Sequence, residues 1–261
     1  MAKCRIMVFS FLYLAACGRD PQTSNISSAA ISSEVNPIIL EYYTSNLSAL
    51  EGEELIQSLY EDIRGHKKIS YNSADVALVD IDKSLVGNGE MELFYEGFLV
   101  SKKQRSVWNR EHLWPQSRGL ERAGSEAKSD LHHLRPTLKE VNSIRGNKDF
   151  DIGGRPVKEA PNNFVDSNSF EPRDEVKGDT ARSIFYMAVR YKNALKMKKE
   201  ISGTGFYMGN LCTLLEWHEN DVVSAQEAAR HERVYSHWQK NRNPFVDYPE
   251  LARKAWGKEC L

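Results

Sequence analysis

The chain has 261 residues, of which 41% are hydrophobic and 27% are charged. A chain of this length can bury a sizeable core in one domain, and it is too short for more than two domains. Its formal net charge of −1 neither indicates nor excludes a nucleic-acid partner, so the positions of the charges matter more than their sum.

Charge is unevenly distributed along the chain. Between Lys102 and Lys148 there are eleven lysines and arginines against five acids, and the segment Arg190–Lys199 adds five basic residues and no acid. Residues 34–62, in contrast, are acidic. A focused basic region suits a polyanionic partner, although a run of charge alone is also typical of a solvated surface.

The first seventeen residues are organised like an export signal. Lys3 and Arg5 precede an apolar run, Ile6–Ala16, that is too short to span a membrane as a helix. The run ends in Leu-Ala-Ala-Cys, which resembles the lipobox of bacterial lipoproteins, and the lipidated residue would be Cys17. We therefore expect a lipoprotein of the cell envelope. Cleavage that releases a soluble, secreted product is the alternative.

The rest of the chain divides into a tether and a folded domain. Residues 18–36 are rich in Ser, Asn and Ala, which predicts a flexible tether, and residues 37–261 predict the folded domain. Cys212 and Cys260 lie in this domain. Export would permit a disulfide between them, but sequence separation gives no Cα–Cα distance, so two free thiols are equally compatible with the sequence.

Hydrophobic periodicity predicts the first elements of the domain. A helix is predicted over residues 37–64, and residues 75–82 form a short, β-rich segment. Two strands, 91–100 and 106–111, are predicted to pair as a hairpin around a polar turn. Pro115 prevents the second strand from continuing as a central strand of a sheet.

The next predicted helix is well marked at both ends. It follows a polar loop at 116–128, begins at Pro136, and stops at Gly146. One face of this helix carries Leu138, Val141, Asn142 and Arg145. Asparagine is a mediocre helix former and usually lies at a cap or on the solvent face. An Asn142 side chain on an inward face would require a polar partner, because burying an unpaired amide is costly.

The remainder is predicted to be mostly helical. Residues 147–173 are polar and predict a loop. Three helices follow: one capped by Asp179, one over residues 211–218, and one that opens with a capping box at Ser224–Glu227 and extends to Trp238. The order of elements predicts an α+β fold that is largely helical, with a strand–strand–helix unit at about 91–147.

Glu111, His112 and Asn142 are the candidate catalytic set. A base and two oxygen ligands are the groups that metal-assisted hydrolysis of a phosphodiester requires. Adjacent side chains of a regular strand point to opposite faces, so Glu111 and His112 can serve one phosphate only if the strand ends or bends there, and Pro115 is consistent with such an end. Two neighbouring polar residues at a strand end are, by themselves, also an ordinary structural feature.

Two other interpretations remain open from the residues alone. A zinc hydrolase could use His112, His132 and His133, although no HExxH or CxxC spacing supports it. His132 and His133 are adjacent, and of two adjacent histidines one more often supports the fold while the other is exposed. The chain could also be a non-catalytic lipoprotein that holds polynucleotide at the envelope.

Several stretches resemble the endonuclease I family of exported bacterial nucleases. The resemblance extends from about residue 55 to 257, in order, through the stretches NREHLWPQS, DLHHLRP, VNSIRGN, KGDTARSIFYMAVRY, LLEWHENDVVSAQEAARHERVY and NRNPFVDYPELARKAW. It implies a ββα-metal (His-Me finger) active site in a largely helical protein. It also implies metal-dependent endonuclease activity on DNA, and often RNA, with little sequence preference. We expect a monomer.

The resemblance assigns roles to individual residues. It implies that His112 is the general base and that Glu111 and Asn142 are metal ligands, with Mg²⁺ expected and Mn²⁺ or Ca²⁺ as alternatives. It also implies an arginine at the scissile phosphate, for which the candidates are Arg118, Arg122, Arg110 and Arg145. Supporting positions around the site are expected at Asp130, His132, His133 and Asn147.

Overall fold

Helices and small sheets alternate in a computed structural model that describes residues 37–261 except 44–45, 103, 202 and 204. The predicted signal peptide, Cys17 and the predicted tether lie outside the described residues, so the division of the chain into three parts stays a prediction. Among the described residues, no helix is both long enough and apolar enough to cross a membrane.

The described residues form ten helices and ten strands. The helices are α1 (Pro37–Tyr42), α2 (Gly52–Ile63), α3 (Ala74–Ile81), α4 (Glu121–Ala123), α5 (Lys139–Arg145), α6 (Lys177–Arg190), α7 (Leu211–Asn220), α8 (Ala225–Arg233), α9 (Pro244–Asp247) and α10 (Leu251–Trp256). The strands are β1 (Met91–Glu92), β2 (Leu99–Val100), β3 (Trp108–His112), β4 (Leu134–Leu138), β5 (Asp149–Phe150), β6 (Arg155–Val157), β7 (Ala160–Val165), β8 (Ser169–Glu171), β9 (Lys196–Met197) and β10 (Tyr207–Met208). This is the predicted mixed α+β composition.

The strands form four separate sheets. β1 pairs with β2 and β3 pairs with β4, both antiparallel, while β9 and β10 form a short parallel pair. The fourth sheet has the order β5-β8-β7-β6, in which β5 and β8 are parallel. Because each of the three small sheets has two strands, side-chain packing rather than sheet pairing has to hold most of the protein together.

α6 is the central helix of the structure. Every residue from Gly178 to Arg190 is buried, which is the pattern of a helix enclosed on all sides. Its aromatic residue Phe185 packs against Phe245 and Trp256 from the C-terminal helices. A second, smaller core joins α3 and the β3–β4 pair to Val234.

The predicted hairpin of residues 91–100 with 106–111 is wrong. The partner of β3 is β4, in a register that places Trp108 opposite Leu138 and His112 opposite Leu134. Pro136, predicted as the first residue of a helix, instead lies in β4, and α5 begins three residues later. A proline is tolerated there because a two-stranded sheet has only edge strands. The strand–strand–helix unit is therefore β3, β4 and α5, inside the predicted range.

The prediction of a β-rich segment at residues 75–82 is also wrong, because these residues lie in the helix α3 and at its end. Its buried residues Ala74, Ala77, Leu78 and Ile81 recur at a spacing of three and four, which is the helical period. This stripe shares a buried cluster with Met91 of β1 and Leu134 of β4. That packing overrides the strand preference of the valines and isoleucine.

Three further predictions need correction. The helix predicted at 37–64 is broken into α1 and α2, and the loop predicted at 116–128 forms short helical turns that include α4. Residues 147–173, predicted as a loop, contain the four-stranded sheet. The strands of this sheet pair with one another inside the stretch that was predicted as a loop.

Of the two helix caps predicted after residue 173, one is wrong and one is confirmed. Asp179 does not cap α6, since the helix begins at Lys177. The capping box is confirmed: Ser224 is the N-cap of α8, and its side chain accepts a hydrogen bond of 3.1 Å from the backbone N–H of Glu227. The helical stretch then continues through turns to Gln239, past the predicted end at Trp238.

A disulfide joins Cys212 at the start of α7 to Cys260 near the C terminus, which decides between the two alternatives left by the sequence. The bridge closes a loop with a sequence separation of 48. In the loop-entropy model, such a bridge stabilises the folded state by up to about 4 kcal/mol.

We expect reduction, or the double change Cys212→Ser and Cys260→Ser, to lower the melting temperature, because the unfolded chain regains the loop entropy. Differential scanning calorimetry measures the shift, and thiol titration of the unfolded, unreduced protein should find no free sulfhydryl in residues 37–261. Two free sulfhydryls there would contradict the bridge.

Candidate active site

The end of β3 and the face of α5 meet at an open cleft of about 650 Å³. The side chains that line it are Tyr71, Asn109, Arg110, Glu111, His112, Pro115, Gln116, Ser117, Asn142 and Asn147, with Gly146 beside them. All three residues of the predicted catalytic set are among them. The pairing of β3 ends at His112, and the next turn begins at Pro115, so the regular alternation of side chains stops where the two adjacent residues are needed.

Glu111 is a buried carboxylate held by two donors. The Tyr95 hydroxyl donates a hydrogen bond of 2.9 Å to Oε1 of Glu111. The Arg145 guanidinium forms an ion pair with the same oxygen, also at 2.9 Å. Burial raises the pKa of Glu111, while Arg145 and Tyr95 act in the opposite direction. Since both side-chain bonds fall on Oε1, Oε2 is the oxygen that could bind a cation in the cleft.

Arg145 ties α5 to the end of β3. Besides Glu111, its guanidinium donates to the carbonyl oxygens of His112 at 2.8 Å and Leu113 at 2.7 Å. The side chain is fully buried, and its guanidinium lies 4.4 Å from the centre of the Phe150 ring. Arg145 therefore fixes both the Glu111 carboxylate and the backbone that carries the His112 ring.

His112 is held as a neutral imidazole with a defined tautomer. Its Nε2 lies 3.1 Å from the carbonyl oxygen of Lys128, and because a carbonyl only accepts, Nε2 must carry the proton. Nδ1 is then the basic nitrogen. Burial, followed by the charge effect of His133, lowers the pKa of His112 to about 3. Such a ring is unprotonated near neutral pH, as a general base must be.

The amide of Asn142 is also oriented by its partners. Its Nδ2 donates to Oδ1 of Asn109 at 2.7 Å and to the carbonyl oxygen of Arg110 at 3.0 Å. These two bonds use both amide hydrogens and leave Oδ1 as the atom that could bind a cation. The polar partner that an inward asparagine requires is therefore Asn109, on β3.

The donor chemistry of the cleft fits a hard divalent cation. Glu111 and Asn142 offer one carboxylate and one amide oxygen, which suits Mg²⁺, an ion that usually keeps several of its waters. Among the described residues there is no group of three or more His, Cys, Asp or Glu side chains that could hold a metal ion. A site with two protein oxygens and an open cleft does not need such a group.

The three-histidine zinc site is wrong. Nε2 of His132 lies 3.3 Å from the Asn241 carbonyl oxygen, and Nε2 of His133 lies 2.8 Å from the Ala127 carbonyl oxygen, so each of these nitrogens is bound to the protein interior. The His133 ring packs edge-on against His112 with 5.5 Å between centroids. These two histidines thus lie behind the cleft, and neither is among its lining residues.

The four candidate arginines occupy different places. Arg118 is buried, donates to Oδ1 of Asp149 at 2.5 Å and to the Tyr207 carbonyl oxygen, and does not line the cleft. Arg145 is likewise buried behind the cleft. Arg110 lines the cleft, where its guanidinium lies 3.7 Å from the Tyr71 ring centre.

The fourth candidate, Arg122, is exposed outside the cleft, with its guanidinium 4.4 Å from the Phe206 ring centre.

The other expected supporting residues divide between cleft and core. Asn147 lines the cleft, and its amide donates to the Ser117 hydroxyl at 3.3 Å. Asp130 is buried in the core, where its carboxylate accepts bonds from the hydroxyls of Tyr186 and Tyr191, each at 2.9 Å. Asp130 therefore organises the interior behind His132 and His133.

Sequence reasoning missed Tyr71, Tyr95 and Asn109. Asn109 lies two residues before Glu111, on the same face of the strand by the period of two, and that spacing could have identified it. Tyr95 comes from the segment 91–100, whose pairing was predicted incorrectly, and Tyr71 lies in a stretch for which no element was predicted. No local pattern places either of them at the site.

One protein family and two similar proteins match most of this chain. The model of the family described as Endonuclease I matches residues 51–250. A protein named extracellular ribonuclease from Bacillus amyloliquefaciens is 40% identical over 259 residues, covering 95% of this chain and 89% of that protein. A protein of the same name from Bacillus subtilis (strain 168) is 40% identical over 224 residues, covering 82% of this chain and 78% of that protein.

Proposed function

This chain belongs to the endonuclease I family, and from that premise we propose that it is a metal-dependent endonuclease with little sequence preference. Membership makes it a hydrolase of phosphodiester bonds in nucleic acid. The observation that supports the detailed proposal is the convergence of Glu111, His112 and Asn142 in one cleft, each with its other hydrogen-bonding atoms occupied by the protein.

In the proposed mechanism, Nδ1 of His112 takes a proton from a water molecule as that water attacks the phosphorus in line with the leaving oxygen. Glu111 and Asn142 would hold Mg²⁺, or alternatively Mn²⁺ or Ca²⁺. When bound, the ion would supply positive charge to the phosphate and to the departing oxygen. Departure of the 3′-oxygen leaves a 5′-phosphate. Arg110 is the candidate arginine that lines the cleft, and we propose that it contacts the phosphate.

RNA and DNA are both proposed substrates. The two similar Bacillus proteins are named ribonucleases, which supports RNA. The cleft is open and lined mainly by polar side chains, which suits the phosphates of either polynucleotide. We therefore propose hydrolysis of RNA and of DNA.

We also propose that the protein is exported and held on a membrane through Cys17. The names of both relatives include the word extracellular, and the Cys212–Cys260 bridge is consistent with an oxidising compartment. The lipobox-like end of the signal segment supports anchoring. Acyl chains contribute about 0.8 kcal/mol for each buried CH₂ group, so a multiply acylated cysteine would bind a membrane stably.

The residue roles predict different responses to metal. His112→Ala should lower the cleavage rate by roughly 10²–10⁴, because the attacking water loses its proton acceptor, and added Mg²⁺ should not restore it. Glu111→Gln and Asn142→Ala should instead weaken metal binding, so that excess Mg²⁺ partly restores activity. Plasmid nicking and single-stranded RNA cleavage, each titrated with Mg²⁺, measure these responses.

Matched controls are His237→Ala and Asn162→Ala, which change exposed residues of the same types outside the cleft. Both should behave like the unaltered protein. Rescue of His112→Ala by metal together with no rescue of Asn142→Ala would contradict the assigned roles. Unchanged cleavage by all three cleft variants would place the active site elsewhere.

The proposed membrane anchor at Cys17 predicts a second result. Cys17→Ser should move the protein from the membrane fraction to a soluble or unprocessed form, because the acylated residue is lost. Fractionation of cells and mass spectrometry of the mature N terminus measure this. An unaltered protein that is already soluble, with a mature N terminus elsewhere than Cys17, would contradict the anchor.

A further inference from the structure

Outside the cleft, two aromatic rings and two cations form an ordered surface feature. The rings of Phe206 and Tyr207 stack with 4.8 Å between centroids and 28° between planes. The guanidinium of Arg122 lies 4.4 Å from the Phe206 ring centre, and Nζ of Lys198 lies 4.1 Å from the Tyr207 ring centre. We call these four residues the cation–aromatic stack.

Short strands hold the stack in place. β9 and β10 pair in parallel with Tyr207 opposite Lys196. Backbone hydrogen bonds from Lys196 N–H to the Phe206 oxygen (3.1 Å) and from Lys198 N–H to the Met208 oxygen (2.8 Å) extend this pairing. The two rings and Lys198 are thus fixed by backbone pairing, and only the Arg122 end comes from a different part of the chain.

The stack is connected to the cleft through residues 116–122. Gln116 and Ser117 line the cleft, and Gly119, two residues after Ser117, lies against Phe206. Gly119 has a φ of +91°, and a Cβ there would lie 2.6 Å from Cβ of Phe206, so only glycine permits this approach. Arg118 adds a bond of 3.0 Å to the Tyr207 carbonyl oxygen.

The charge of the stack is available to a ligand. Arg122 and Lys198 are exposed, and in the described part of the chain neither forms an ion pair with a carboxylate. The same holds for the exposed Lys196 and Lys199, whereas Lys192 is paired with Glu53 at 2.8 Å. A group of unpaired cations over two aromatic rings favours a polyanion that also carries planar groups.

We propose that the cation–aromatic stack is a second binding surface of this enzyme for a single-stranded stretch of its polynucleotide substrate, adjoining the cleft. The proposal rests on the nuclease function and extends it. Arg122 and Lys198 would bind phosphates, and as they turn toward the phosphates they uncover ring faces on which bases can stack. Because both ring faces of a base are covered in a duplex, only an unpaired strand can use the rings as well as the cations.

Binding without cleavage tests this proposal. Fluorescence anisotropy in EDTA measures the affinity of the full folded chain for a labelled single-stranded oligonucleotide of about twelve nucleotides, and for the duplex of the same sequence, as a function of salt. The double change Arg122→Gln and Lys198→Gln should reduce the salt slope on the single strand by about 1.4, because two phosphate contacts are lost. Phe206→Leu and Tyr207→Leu should each weaken single-strand binding at least about fivefold, and duplex binding less.

Lys158→Gln is the matched control, since it removes an exposed charge on the β6–β7 turn that belongs to neither the cleft nor the stack. It should leave the single-strand affinity unchanged. Equal melting temperatures of all variants show that the leucine changes, which retain apolar volume, do not act through unfolding. If the leucine changes do lower the melting temperature, the test rests on the double change Arg122→Gln and Lys198→Gln, because both of these residues are exposed.

The possible outcomes separate this surface from the proposed nuclease activity. Loss of single-strand affinity in the stack variants supports the surface even if the protein cuts neither RNA nor plasmid. Cleavage by the unaltered protein, together with equal binding by all stack variants, would leave the enzyme in place and overturn the surface. Equal losses on single strand and duplex for the leucine variants would overturn the stacking role.

Discussion

The buried guanidinium of Arg145 is the contact on which the site depends. It joins α5 to the end of β3 by bonding the Glu111 carboxylate and the carbonyl oxygens of His112 and Leu113. Removing one partner of a buried ion pair typically costs about 3–5 kcal/mol, because the other charge is left without compensation. The two elements that carry the proposed base and both proposed metal ligands therefore hold one relative position.

Around this contact, the site is defined by which atoms the protein leaves unused. Tyr95 and Arg145 bind one oxygen of Glu111, the Lys128 carbonyl takes the Nε2 proton of His112, and both amide hydrogens of Asn142 are donated. One carboxylate oxygen, one ring nitrogen and one amide oxygen remain for the proposed reaction. Their orientation is set before substrate arrives, which is the preorganisation that catalysis requires.

How much of this arrangement the sequence predicts depends on how far apart the interacting residues lie along the chain. A strand end and a helix face are local patterns, so the sequence predicts Glu111, His112 and Asn142 as candidates, and the resemblance to the endonuclease I family assigns their roles. The Ser224 cap is predicted from a local pattern in the same way and is confirmed. The β3–β4 pair was missed because the partner strand lies beyond a polar loop, and strand pairing is chosen by packing across the fold. Arg118 looked available to a phosphate, yet its partner Asp149 is 31 residues away in sequence, and no local feature announces that ion pair.

The proposed chemistry depends most directly on the protonation state and tautomer of the His112 ring. Nitrogen-15 NMR of the histidine rings, assigned with a His112→Gln variant, measures both the protonation and the tautomer. Because burial lowers the pKa of His112 to about 3, the ring should stay neutral as the pH falls from about 7.5 to about 5, with its proton on Nε2 throughout. A ring that becomes charged near its usual pKa of about 6.5, or that carries its proton on Nδ1, would contradict the assignment of Nδ1 as the base.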